Sequence, residues 1–114
     1  MQPMPIISPE DLDYLKQSFA DLPNLQSENT LDPIDPLNYI GFGGDSCLHI
    51  AAIRGDLRAI RLLINAGLNV NARGDMGSTP LHLAYLGKQT VAVALLLSKG
   101  ADATLKDEFG RMPS

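Results

Sequence analysis

The tightest constraint on this chain is a block that recurs every 33 residues. Gly77-Ser78-Thr79-Pro80-Leu81-His82 has a counterpart 33 positions earlier, Gly44-Asp45-Ser46-Cys47-Leu48-His49. The same distance forward stands Gly110-Arg111-Met112-Pro113-Ser114. A fixed period of this kind means one helical unit used repeatedly, each copy burying its apolar face on the next. Ser46 and Thr79 are suited to cap helix starts. Leu48-His49-Ile50-Ala51-Ala52 and Leu81-His82-Leu83-Ala84 follow them, and the small Ala residues permit close packing. A second apolar run completes each unit: Leu57, Ile60, Leu62, Leu63 and Ile64, then Val91, Val93, Leu95, Leu96 and Leu97. Gly55, Gly67 and Gly100 stand where helices are expected to stop.

With Thr-Pro-Leu-His at its start and Val70-Asn71-Ala72 or Gly100-Ala101-Asp102-Ala103 after it, the unit resembles the ankyrin repeat, a turn followed by two antiparallel helices. The resemblance runs over about residues 41–114. It implies an all-α fold: a short ankyrin-repeat solenoid, with helix-turn-helix units, β-turn tips and an N-terminal helical cap. Residues 1–43 are expected to form the capping helix and a Pro-rich connection, 44–76 the first repeat and 77–109 the second. Residues 110–114 read as the truncated start of a third, lacking the helix after Pro113. The pattern departs from the family at Ser46, at Cys47 in a Pro position and at Tyr85 in an Ala position. Lys88 stands where the first unit has Gly55, with Gly87 one residue early. That last departure predicts a shifted loop between the helices of the second repeat.

Ser8-Pro9-Glu10-Asp11 reads as a helix start with a capping box. Leu12, Leu15, Phe19 and Leu22 make one apolar stripe on a helix predicted over roughly residues 9–21 and ended by Pro23. Between Pro23 and Gly43 prolines interrupt any pattern. Leu31, Ile34, Leu37, Tyr39 and Ile40 are too apolar for a free linker, so this stretch is expected along the side of the first repeat, with a short helical turn. Gly41-Phe42-Gly43-Gly44 reads as a tight turn.

The net charge of −4 is uneven. Residues 1–44 carry seven acids against Lys16, a net −6, and residues 45–114 carry +2. An acidic end argues against a nucleic-acid partner and favours a basic protein through electrostatic steering. Pro3, Pro5 and Pro9 break any leader-like apolar run, and no stretch is long enough to span a bilayer. With the lone Cys47 excluding an internal disulfide, a cytoplasmic location is expected, with no membrane partner.

Enzyme signatures are missing: no phosphate loop, no nucleophile elbow, no zinc helix. No cofactor, metal or small-molecule substrate is expected. His49 and His82 occupy the same site of successive units. In the family resembled, such a His hydrogen-bonds across the helix start and the neighbouring turn, which is a structural role. Cys47 is also expected to be structural.

The ankyrin resemblance implies that partners bind the turn tips and the exposed face of the first helices. In this sequence those positions are Phe42 and Asp45 in the first turn, Arg73, Asp75, Met76 and Ser78 in the second, and Asp107, Glu108, Phe109 and Arg111 in the third. Ile53, Arg54 and Leu86 follow on the first helices. The expected function is a non-catalytic protein-binding module, most concretely a stoichiometric inhibitor such as a toxin immunity protein. The alternative is a scaffold or regulatory subunit that positions an enzyme.

Overall fold

A computed structural model describes residues 7–114; Pro3 and Pro5 lie outside the described residues. These residues form helices α1 (Pro9–Ser18), α2 (Cys47–Arg54), α3 (Leu57–Asn65), α4 (Pro80–Leu86) and α5 (Thr90–Ser98), with tight turns at Phe42–Gly44 and Asp75–Gly77. No strand occurs among the described residues. Helices α2 and α4 pack side by side as an inner layer. Helices α1, α3 and α5 form an outer layer in that order, α1 on α3 and α3 on α5.

The periodic residues explain the layers. Leu48, Ala51 and Ala52 of α2 meet Leu81 and Ala84 of α4, all buried, and the small side chains let the two helices approach. Ala59, Ile60 and Leu63 of α3 and Ala92 and Leu96 of α5 close the core from outside. Leu15 and Phe19 extend it towards the N-terminus and are fully buried.

Helix α1 starts where the sequence indicates, with Ser8 Oγ accepting from the amide of Asp11 at 3.1 Å and Pro9 in the first turn, but the capping box is only half formed, because the Asp11 carboxylate accepts from Arg58 instead of the Ser8 amide. It ends at Ser18, earlier than the position 21 expected, so Pro23 is not what stops it. Phe19 turns into the core, and Arg54 supplies the cap: its guanidinium donates to the Ser18 carbonyl at 2.9 Å and pairs with Asp21 at 2.6 Å. Arg58 packs over Tyr14 and reaches Asp11 at 3.2 Å, and the Tyr14 hydroxyl donates to Asp56 at 2.7 Å. Acidic residues of the first 44 are thereby tied to bases of the first repeat.

The stretch from Pro23 to Ile40 contains no helix; the short helical turn expected is reduced to a single turn in which the Asn38 amide donates to the Asp35 carbonyl at 3.2 Å. Asn and Asp side chains take the backbone groups instead. Asn24 donates to the Pro33 carbonyl at 2.9 Å, Gln26 donates to the Ile40 carbonyl at 2.7 Å, and Asp35 accepts from the Leu37 amide at 3.1 Å. Such local bonds compete with helix formation. Ile34 and Tyr39 are buried against the stack as expected, whereas Leu31 is 89% exposed.

The loop between α4 and α5 is not shifted. Lys88 takes the left-handed conformation, φ 56°, that Gly55 takes at 71° in the first repeat. The Gln89 amide donates to Ala84 at 2.9 Å as the Asp56 amide donates to Ala51 at 3.0 Å. Two contacts explain the swap of residues. A Cβ at Gly87 would lie 2.3 Å from the Ile53 carbonyl, so close packing of α4 on α2 forces glycine there. A Cβ at Gly55 would lie 2.3 Å from the Gln89 side chain of the next repeat, while Lys88 is exposed and has room for a side chain.

Two outcomes follow for stability. Leu63 and Leu96 are buried at equivalent sites, so truncating either to Ala lowers unfolding free energy by about 2–5 kcal/mol in denaturant titrations. Lys88→Gly relieves a left-handed side-chain conformation and stabilises by about 1 kcal/mol. An unchanged or lower melting temperature for Lys88→Gly contradicts the strain assigned to Lys88.

Candidate partner-binding surface

Each repeat presents its turn as a tip, and the three tips are copies of one design. Gly41 donates to the Asp45 carbonyl at 2.8 Å, Gly74 to Ser78 at 2.8 Å and Asp107 to Arg111 at 2.9 Å. The tips are also cross-linked. Asp45 Oδ1 accepts from the Asp75 amide at 2.8 Å, and the Met76 carbonyl accepts from the Glu108 amide at 3.0 Å. Arg73 donates to the carbonyls of Gly77 and Lys106, bridging second and third turns. Several backbone polar groups are thus bonded within the row, and the apolar side chains at the tips are exposed: Phe42 is 78% exposed, Met76 54% and Phe109 62%. Met76 lies at φ 54°, where the first turn has Gly43 at 73°. A left-handed conformation strains any residue with a Cβ.

The turns hang on two imidazoles. Ser46 and His49 form a capping box, with the Ser46 amide donating to Nδ1 at 3.1 Å. The His49 proton assigned by this network is therefore on Nε2, which donates to the carbonyls of Ala72 at 2.9 Å and Ser78 at 3.1 Å. His82 repeats the arrangement: the Thr79 amide donates to its Nδ1 at 3.0 Å and its Nε2 donates to the Arg111 carbonyl at 2.8 Å. Burial pushes the His49 pKa below its ordinary value, partly opposed by the Asp45 charge and the two carbonyls. The folded state then binds a proton less readily than the unfolded state. Its contribution to stability is complete above the unfolded value, near 6.5, and declines as pH falls below it. Cys47 is buried, and burial pushes its thiol up to about 12, which leaves it inert as a nucleophile.

The structure gathers nine of the sequence-derived positions in the tip row: Phe42, Asp45, Arg73, Asp75, Met76, Ser78, Glu108, Phe109 and Arg111. Ile53 and Leu86 lie on the inner helices, with Ile53 half-buried against Gly87. Arg54 is spent on capping α1. Asp107 is a correction: expected as a contact residue, it is buried. Its carboxylate accepts from the amides of Phe109 and Arg111, both at 2.9 Å, and pairs with the Arg111 guanidinium at 3.0 Å. The Arg111 amide is the first cause holding its pKa below the ordinary carboxylate value. Arg111 in turn lies over the Phe109 ring, 4.9 Å from its centre. Sequence reasoning passed over Met112, which is half-exposed beside the third turn. The signal was available, since Met112 stands where the second unit has the capping Thr79.

Two helical layers joined by stacked turns define a helical repeat protein with exposed turn tips. The family model of ankyrin repeats (3 copies) matches residues 13–107, and the chain belongs to that family. The match reaches back to residue 13 and so takes in most of α1. A comparison with curated proteins gives no match. Ankyrin repeats generally mediate protein–protein interaction, and the family is typically non-catalytic. Among the described residues no cluster of three His, Cys, Asp or Glu could hold a metal ion, and no helix is long and apolar enough to cross a membrane.

The protonation argument has a direct readout. The melting temperature should fall as pH drops from 7 to 5, and His49→Gln should both lower stability at pH 7 and flatten that slope. An identical slope in His49→Gln would assign the pH dependence elsewhere.

Proposed function

We propose that this chain is a non-catalytic binding module that holds a partner protein against its tip row, with Phe42, Arg73, Asp75 and Met76 at the centre. Met76 carries the reading. It keeps an exposed apolar side chain at a left-handed position where glycine would be free of strain. Strain at a surface position motivates a functional reading, and unlike the equally left-handed Lys88 this side chain is apolar and sits in the tip row. Apolar residues flanked by Arg73, Asp75 and Glu108 have the make-up of a contact centre with a polar rim.

The sharper reading is a stoichiometric inhibitor, of the kind an immunity protein is to a toxin, acting on a basic protein. Its support is the net charge of −4 and the −6 carried by residues 1–44. The other reading, a scaffold or regulatory subunit, draws on the same surface. An enzyme is disfavoured because the sequence carries no phosphate loop, nucleophile elbow or zinc helix and the family is typically non-catalytic. A cytoplasmic setting accords with a free, buried thiol at Cys47.

The test is to isolate the complex from the native cell, identify the partner and titrate it with Met76→Gly. Binding weakens by more than about 1 kcal/mol, while the melting temperature holds or rises because strain is released. Arg58→Glu, on the outer layer, leaves affinity unchanged. Loss of the partner's activity at one-to-one stoichiometry supports the inhibitor; retained activity supports the scaffold. Full affinity in Met76→Gly together with loss in Arg58→Glu would move the site to the opposite face.

A further inference from the structure

The second and third tips repeat each other in what they expose. Asp75-Met76 and Glu108-Phe109 stand 33 residues apart, an acid followed by an apolar residue, and all four are exposed. Neither Asp75 nor Glu108 is ion-paired among the described residues. The basic side chains nearest them are engaged elsewhere: Arg73 donates to the Gly77 and Lys106 carbonyls, and Arg111 is held by Asp107. Met76 has a bonded turn on either side and is still exposed, so a neighbour in the row does not cover a tip. Phe42 adds an exposed apolar side chain at the first tip.

The spacing of the tips selects the shape that can meet both. Each turn lays two backbone passes side by side, and the second turn bonds the third through the Met76 carbonyl and the Glu108 amide. Passes bonded in this way lie about 4.8 Å apart, so the row repeats about every 9.6 Å. That is in step with the ~8–10 Å between the axes of packed helices such as α2 and α4. An α-helix laid along the row returns a side chain to one face every seven residues, about 10.5 Å. A strand returns side chains to one face at about 6.6 and 13.2 Å, out of step with the tips. A polyproline segment returns one about every 9.3 Å, but such segments seat in aromatic-lined grooves, whereas Met76 and Phe109 lie exposed on turns. A helix also satisfies its own backbone groups. That suits a row in which the Asp75 and Glu108 amides and the Met76 carbonyl are already bonded. We propose, on the reading that the partner binds the tip row, that it contributes an amphipathic helix laid along that row. Its apolar residues, about seven apart, meet Met76 and Phe109, and Lys or Arg residues at the same interval along one flank meet Asp75 and Glu108.

The test selects binders to the 114-residue chain from a library of random peptides. The peptides are about 18 residues long, enough as a helix to pass all three tips. Peptides lost on Met76→Gly report the tip row, because that variant removes the apolar side chain and relieves its backbone strain. Among them, the expected sequences carry apolar residues about seven apart, flanked by Lys or Arg, and circular dichroism shows helix forming on binding. For one such peptide, Asp75→Lys with Glu108→Lys raises the dissociation constant at least about fivefold. Exchanging the peptide's Lys and Arg for Glu restores the affinity. Asp75 and Glu108 are exposed, so the melting temperature of the double variant is unchanged. An apolar period of about two or three, no helix on binding, acidic flanks, or indifference to the charge reversal overturns the helix and leaves the tip row standing. Peptides that all persist on Met76→Gly, or an empty selection, overturn the tip row as well.

Discussion

A neutral imidazole between successive repeats is the interaction on which the rest depends. The His49 ring accepts at Nδ1 from the start of its own helix and donates at Nε2 to two carbonyls of the following turn. One side chain therefore caps α2 and fixes where the next tip sits. Because the ring is uncharged, it can be buried without the penalty of a buried ion. Remove it, and the part-buried Ala72 carbonyl loses its donor, at a cost of about 1–3 kcal/mol, while the Ser78 carbonyl keeps only the Gly74 amide. His82 holds the third turn in the same way through the Arg111 carbonyl.

From that junction the order spreads to the surface. Fixed turns bring Asp45 to the amide of Asp75 and Glu108 to the carbonyl of Met76, so adjacent tips are bonded to each other. Asp107 locks the last tip through three acceptor contacts. A surface ordered before it meets a partner loses less entropy on binding. Met76 and Phe109 are presented by backbone already bonded to its neighbours, through the Met76 carbonyl and the Phe109 amide. This is how a chain with a small core can offer a rigid contact row.

Much of this was legible because the 33-residue period carries both the helices and the junction. Leu63 and Leu96, or His49 and His82, could be paired by spacing alone. The loop after α4 was misjudged because a glycine can serve two different needs. Gly55 answers a left-handed turn pressed by Gln89, whereas Gly87 answers the nearness of the Ile53 carbonyl. Spacing cannot tell these apart. The segment from Pro23 to Ile40 was opaque because its order rests on Asn24, Gln26 and Asp35 reaching residues at irregular distances, with no period to read. Asp107 looked like a surface acid because its burial depends on the fold of its own turn around it. The repeat motif carried the likeness back only to about residue 41, since α1 lacks the turn motif, whereas the family match reaches residue 13. In space α1 packs on α3 as α3 packs on α5.

The account stands on the protonation state of two rings, and long-range proton–nitrogen correlation spectra of imidazole-labelled protein at neutral pH report it directly. Both His49 and His82 should show an unprotonated Nδ1 and a protonated Nε2, with the Nε2 proton of His49 protected from solvent exchange. A proton on Nδ1, or a charged ring at His49, would contradict the junction described and with it the origin of the ordered tips.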